Sequence, residues 1–145
     1  MRWSRAKDPL RRFVDAQDST YRIAYAEMKC GRKMNHWIWF IFPQLYGLGK
    51  SDVSRRYGLT VDEAKLYLQH PILSLRLRNI LKQLLRHNGK DINCVMGCGL
   101  DAMKLQASMT LFDWFSPNDI FEQVLNAFFD GHRHKQTLNI LNHVQ

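Results

Sequence analysis

The chain has 145 residues, 46% of them apolar and 23% charged, and its 21 Lys and Arg outnumber 13 Asp and Glu to give a net charge of +8. This composition excludes the low-hydrophobicity corner where chains stay disordered, and the length suits one domain, able to bury about two thirds of its unfolded surface without staples. The longest apolar run, Trp37 to Phe42, falls far short of a membrane-spanning helix. Three cysteines do not make a disulfide framework, and no signal-peptide core follows the first charges, so a single domain over residues 1–145 in the cytoplasm is expected.

Asp8-Pro9 predicts a helix start, because an aspartate accepts from free backbone amides and a proline at the first helical position forfeits no hydrogen bond. Leu10, Phe13, Val14, Gln17, Tyr21, Ala24, Tyr25 and Met28 then recur at three- and four-residue spacings, and Gly31 ends the helix. Residues 31–51 break that pattern with a basic turn, an aromatic block at Trp37 to Phe42 and the glycines Gly47 and Gly49. The block suits a helical turn or irregular chain, since no second strand stands ready to pair with it.

Thr60-Val61-Asp62-Glu63 has the form of a capping box and predicts a helix to about Gln69. Pro71 opens a further helix, with Ile72, Leu73, Leu75, Leu77, Ile80, Leu81, Leu84 and Leu85 on its inner side, that ends near Asn88-Gly89. A short helix is expected over 91–96 and a long one over 100–115, another from Pro117 to Phe129, and a last one over 134–143 that needs docking to be stable. The fold class expected is all-α, a bundle of about seven helices with no substantial sheet.

Segment 31–51 gathers Arg32, Lys33, His36, Trp37, Trp39, Gln44 and the glycines Gly47 and Gly49 within about twenty positions, the mixture of apolar walls and a few convergent polar groups that binding sites use. The same aromatics also suit a plain core. Lys104 and Ser108 lie four apart on one helical face, where the lysine can neutralise an anion or a carboxylate. Cys94 and Cys98 without a second pair are a poor zinc signature, His132, His134 and His143 read as a solvated terminal segment, and Gly47-Leu48-Gly49-Lys50-Ser51 only faintly echoes a phosphate loop. No metal or cofactor is expected.

The runs Arg12-Phe13-Val14 with Gln17, Gly31-Arg32-Lys33 with His36-Trp37, Trp39-Phe40, Phe42-Pro43-Gln44-Leu45, Gly47-Leu48-Gly49 and Ser51, then His70-Pro71, then Lys104-Leu105 with Ser108-Met109-Thr110-Leu111-Phe112, resemble the DUF1810 family of small bacterial proteins over nearly the whole chain. The resemblance implies a compact helical single domain and carries no established activity. Some members are labelled calpastatin-like, but a flexible protease-inhibiting chain would be poor in aromatics, and this one holds 12%.

Two readings follow. In the first, segment 31–51 and helix 100–115 form a pocket for a small anionic ligand such as a nucleotide, lined by Arg32, Lys33, His36, Trp37, Trp39, Gln44, Lys104 and Ser108, with His36 the candidate acid or base should the protein be an enzyme. In the second, the basic excess (Arg2, Arg5, Arg11, Arg12, Arg55, Arg56, Arg76, Arg78 and Lys82) makes an interaction module for nucleic acid or a protein partner, although no base-reading motif is present.

Overall fold

The computed structural model describes residues 8–144, and among them the chain forms nine helices and no strand. Helix α1 spans Arg11–Cys30 and buries Phe13, Val14, Gln17, Ala24 and Met28, the stripe expected from the spacing. It starts two residues beyond Pro9, because Asp8 is not its cap: one carboxylate oxygen accepts from the Leu10 amide at 2.9 Å and the other meets His70 Nε2 at 2.5 Å. Its end is set by Gly31, at φ +79°, whose following amide reaches back to Glu27 O; the His87 ring lies 2.7 Å from where a β-carbon would stand.

The two helices beyond the seven expected are short ones inside segment 31–60. Helix α2, Ile38–Ile41, is one turn of the aromatic block, cut short because Pro43 restricts Phe42 and offers no amide. Beyond it Leu45 makes a single parallel bridge with Leu59, Tyr46 N donating to Leu59 O at 2.7 Å and Leu59 N to Gln44 O at 2.9 Å. A bridge of this size needs no strand partner of the kind sequence patterns reveal. Gly58 permits the approach, since a β-carbon there would sit 2.8 Å from Tyr46 Cα. Helix α3 is Asp52–Arg56, capped by Ser51.

The capping box on α4, Val61–Gln69, forms as the sequence predicts. Helix α5, Leu73–Leu85, presents Leu73, Leu77, Ile80, Leu81 and Leu84 to the core, whereas Ile72 and Leu75, expected inward, are exposed; His70 Nδ1 accepts from the Ile72 and Leu73 amides. Helices α6 (Ile92–Val95) and α7 (Gly99–Phe115) follow. Helix α8 spans Ile120–Phe129 rather than starting at Pro117, because Asn118 takes φ +60° and Asp119 caps the helix. Helix α9 is Lys135–His143.

Helix α7 is the central element, packed against α2, α4, α6, α8 and α9, while α1 pairs with α5. Its buried residues surround most of its circumference, as expected of a helix enclosed by others. Phe13, Tyr67, Phe112 and Phe121 form an aromatic chain through the middle, with ring centres 5.3–5.6 Å apart. No helix among the described residues is long and apolar enough to cross a membrane.

Candidate functional site

Trp39, Gln44, Leu48 and Gly49 from segment 31–51, Met103 and Lys104 from α7, and His134 and Gln136 at the start of α9 enclose a cleft of about 120 Å³. Three of the eight residues proposed from sequence, Trp39, Gln44 and Lys104, therefore meet here. Trp39 is half-buried and its ring carries the Lys104 ammonium at 4.3 Å from the ring centre. Such a cation over an indole is held by the ring quadrupole, worth about 0.5–2 kcal/mol depending on desolvation.

Gln44 is 9% exposed, and its side-chain nitrogen is buried with no hydrogen-bond partner among the described residues. A buried donor left unsatisfied costs about 1–3 kcal/mol. It borders the cleft and an adjoining void of about 10 Å³ shared with Trp39, Leu48 and Gly49.

The charges near Lys104 do not balance one to one. Asp101, one helical turn earlier on α7, receives Lys33 Nζ at 2.8 Å on one oxygen and Lys104 Nζ at 3.4 Å on the other. Two ammonium groups thus flank one carboxylate, and the closer ion pair belongs to Lys33. Lys33 is 8% exposed, also donates to Asn35 O at 2.6 Å and lies 5.0 Å from the Trp37 ring centre, so its charge is fully engaged.

The third wall is the N-terminus of α9. His134 is its cap: its Nδ1 accepts from the Thr137 amide at 3.3 Å and meets the Thr137 hydroxyl at 2.8 Å. The loop before it is tied to α7 by Gln106 Nε2 donating to His132 O at 2.9 Å and by the His134 amide donating to Thr110 Oγ1 at 2.9 Å. Burial alone pushes the His134 imidazole below its ordinary value of 6.5, favouring the neutral ring. With the Thr137 amide taken by the cap, the remaining first-turn amides of α9 lie at the positive end of its dipole, a setting that favours an anion.

The other proposed residues lie elsewhere. Trp37 is in the core, its Nε1 donating to Glu27 Oε1 at 2.9 Å. Arg32 is exposed beside a wide open depression that it shares with Lys33, Met34 and Cys94. His36 is exposed in the bend before α2 and borders none of the clefts described. Ser108 sits one turn beyond Lys104 but is fully buried, its hydroxyl unpartnered among the described residues. Sequence reading missed His134 and Gln136, assigning them to a solvated end; the spacing of His134 three residues before Thr137, a side-chain cap, was the available signal.

Of the basic residues put forward for a polyanion surface, Arg11, Arg12, Arg76 and Arg78 are each paired with a carboxylate, Asp15, Glu63, Asp18 and Asp119 respectively. Arg2 and Arg5 lie outside the described residues. Among the described residues no group of three or more His, Cys, Asp or Glu side chains is placed to hold a metal ion.

Fold and cleft together define a small all-α domain with one core and a donor-lined recess where three segments meet. The family model described as protein of unknown function (DUF1810) matches residues 7–141, and the chain belongs to that family. It is also similar to the conserved hypothetical protein Rv1873 from Mycobacterium tuberculosis, whose crystal structure superposes with a TM-score of 0.88 at 39% identity over 92% of this chain and 97% of that one. No curated protein matches the chain.

Proposed function

We propose that this domain binds a small oxyanion, or the anionic end of a small molecule, in the cleft between Trp39, Lys104 and the N-terminus of α9. The observation that carries the reading is Gln44: a buried amide donor without an acceptor, beside a lysine only loosely paired and a helix end of positive potential. The side chains bordering the cleft include Lys104, the Gln44 amide and His134, and none of them is a carboxylate. Trp39, Leu48 and Met103 supply apolar surface beside the donors.

Size narrows the ligand. Sites for whole drug-sized molecules run to about 300–1,000 Å³, so at about 120 Å³ this cleft receives a phosphate- or carboxylate-sized group. A nucleotide would place one phosphoryl group inside and its base outside.

A thermal-shift titration with inorganic phosphate, sulfate, acetate, sugar phosphates, nucleotides and short oligonucleotides, at two salt concentrations, tests the reading. At ten times its Kd a bound anion adds about 1.4 kcal/mol and raises Tm by about 4 °C. That shift should vanish in Lys104→Met and in Gln44→Leu while both variants stay folded. Failure of every small anion to move Tm, or an unchanged shift in both variants, overturns the reading; a response confined to oligonucleotides and abolished by salt points instead to the basic surface.

A further inference from the structure

His134 is placed for two tasks that use its two ring nitrogens separately. Nδ1 receives the Thr137 amide proton, so it carries no proton itself and the neutral ring must hold its proton on Nε2. The Thr137 hydroxyl, 2.8 Å away, completes the capping arrangement. The residue also borders the Lys104 cleft, where the Gln44 side-chain nitrogen is a buried donor lacking an acceptor.

We infer that His134 is a ligand-binding residue whose Nδ1 caps α9 while its Nε2–H donates to the oxyanion held by Lys104 and Gln44. This rests on the anion reading above and deepens it. The ligand that such a site selects presents an acceptor oxygen to each of three donors, the lysine ammonium, the glutamine amide and the Nε2–H, as phosphate does at neutral pH. Helix formation and ligand recognition are thereby joined at one residue: the proton location that suits the cap is also the one that suits the anion. Burial of the ring favours its neutral form, which leaves Nδ1 free to accept the Thr137 amide proton.

The two nitrogens can be separated by substitution. In His134→Asn the amide oxygen falls near the Nδ1 position, and asparagine is among the best helix caps, but nothing replaces Nε2–H. In His134→Gln the longer side chain carries an N–H near the Nε2 position and gives up the cap. Inorganic phosphate is the probe, with Kd from calorimetric titration and Tm without phosphate read on each variant. The expected result for His134→Asn is a Tm within about 1 °C of the parent and a phosphate Kd weakened about tenfold or more, as for loss of a hydrogen bond to a charged group. For His134→Gln the expected result is the converse, a lowered Tm with Kd retained within about threefold.

A Kd unchanged in His134→Asn, with binding still lost in Lys104→Met, overturns this role and leaves the anion reading standing. Variants in which Tm falls and Kd rises together in every case show a purely structural histidine and also overturn it. Absence of phosphate binding by the parent protein removes both.

Discussion

The carboxylate of Glu27 accepts four hydrogen bonds, from the backbone amides of Met34 and Asn35, the Asn35 side chain and the Trp37 indole, and so fastens the basic turn to the end of α1. Desolvation would raise its pKa, but these four donors outweigh it and hold the carboxyl down at about 2. Glutamine at this position keeps the shape and one acceptor while turning an NH2 toward groups that are all donors. Glu27→Gln should therefore cost about 2 kcal/mol, read as a lower urea midpoint at pH 7 with an unchanged m-value. The same turn carries Lys33 into its ion pair with Asp101, so residue-level chemistry here bears on how Lys104 is held. A midpoint equal to that of the parent would mean that the turn is held by packing of Trp37 alone.

Among the elements, α4 is fixed most locally. Thr60 Oγ1 accepts from the Glu63 amide at 3.1 Å while Glu63 Oε1 accepts from the Thr60 amide at 3.0 Å, and the same carboxylate takes a two-pronged contact from Arg12. Thr60→Ala should lose about 1 kcal/mol and Thr60→Ser nearly nothing, measured by urea unfolding; equal losses in both would assign the effect to the threonine methyl instead. This cap was legible because all its parts lie within four residues, as was the apolar stripe of α1 and most of that of α5. The misplaced starts have long-range causes. Asp8 is drawn to His70, 62 positions away, and Asp119 is drawn to Arg78, 41 positions away, with hydrogen bonds of 2.7 and 3.0 Å. A start signal such as Asp8-Pro9 or Ser116-Pro117 names residues able to cap and says nothing of partners elsewhere in the chain.

At the scale of the whole molecule, the candidate cleft was half legible for the same reason: Trp39, Gln44 and Lys104 stand out by residue type, whereas His134 and Gln136 acquire meaning only once α9 docks its N-terminus on α7. The titrating groups distributed over the fold give a joint prediction for stability against pH. Asp119, held well below the ordinary carboxylate range first by Arg78 and then by the Ser116 hydroxyl and the Ile120 amide, contributes stability above its unfolded pKa, as do Glu27 and Glu63. That contribution is lost as pH falls from about 4.5 toward 2 for Glu27, because the unfolded chain takes up protons that the native carboxylates refuse. His134 has the same sign for a different reason: its neutral form is favoured in the fold, so below its ordinary 6.5 the unfolded chain again binds the proton first. On the alkaline side burial, reinforced by Tyr25, raises Tyr21 from 10.0 to about 12, and desolvation raises the fully buried Tyr67 as well, so above pH 10 the unfolded state ionises first and stability falls again. Urea midpoints should thus form a plateau between about pH 7 and 10, decline gently from 6.5 and steeply below 4.5, and Glu27→Gln should flatten part of the steep acid limb. An acid limb of equal slope in that variant would show that Glu27 titrates alike in the native and unfolded chains.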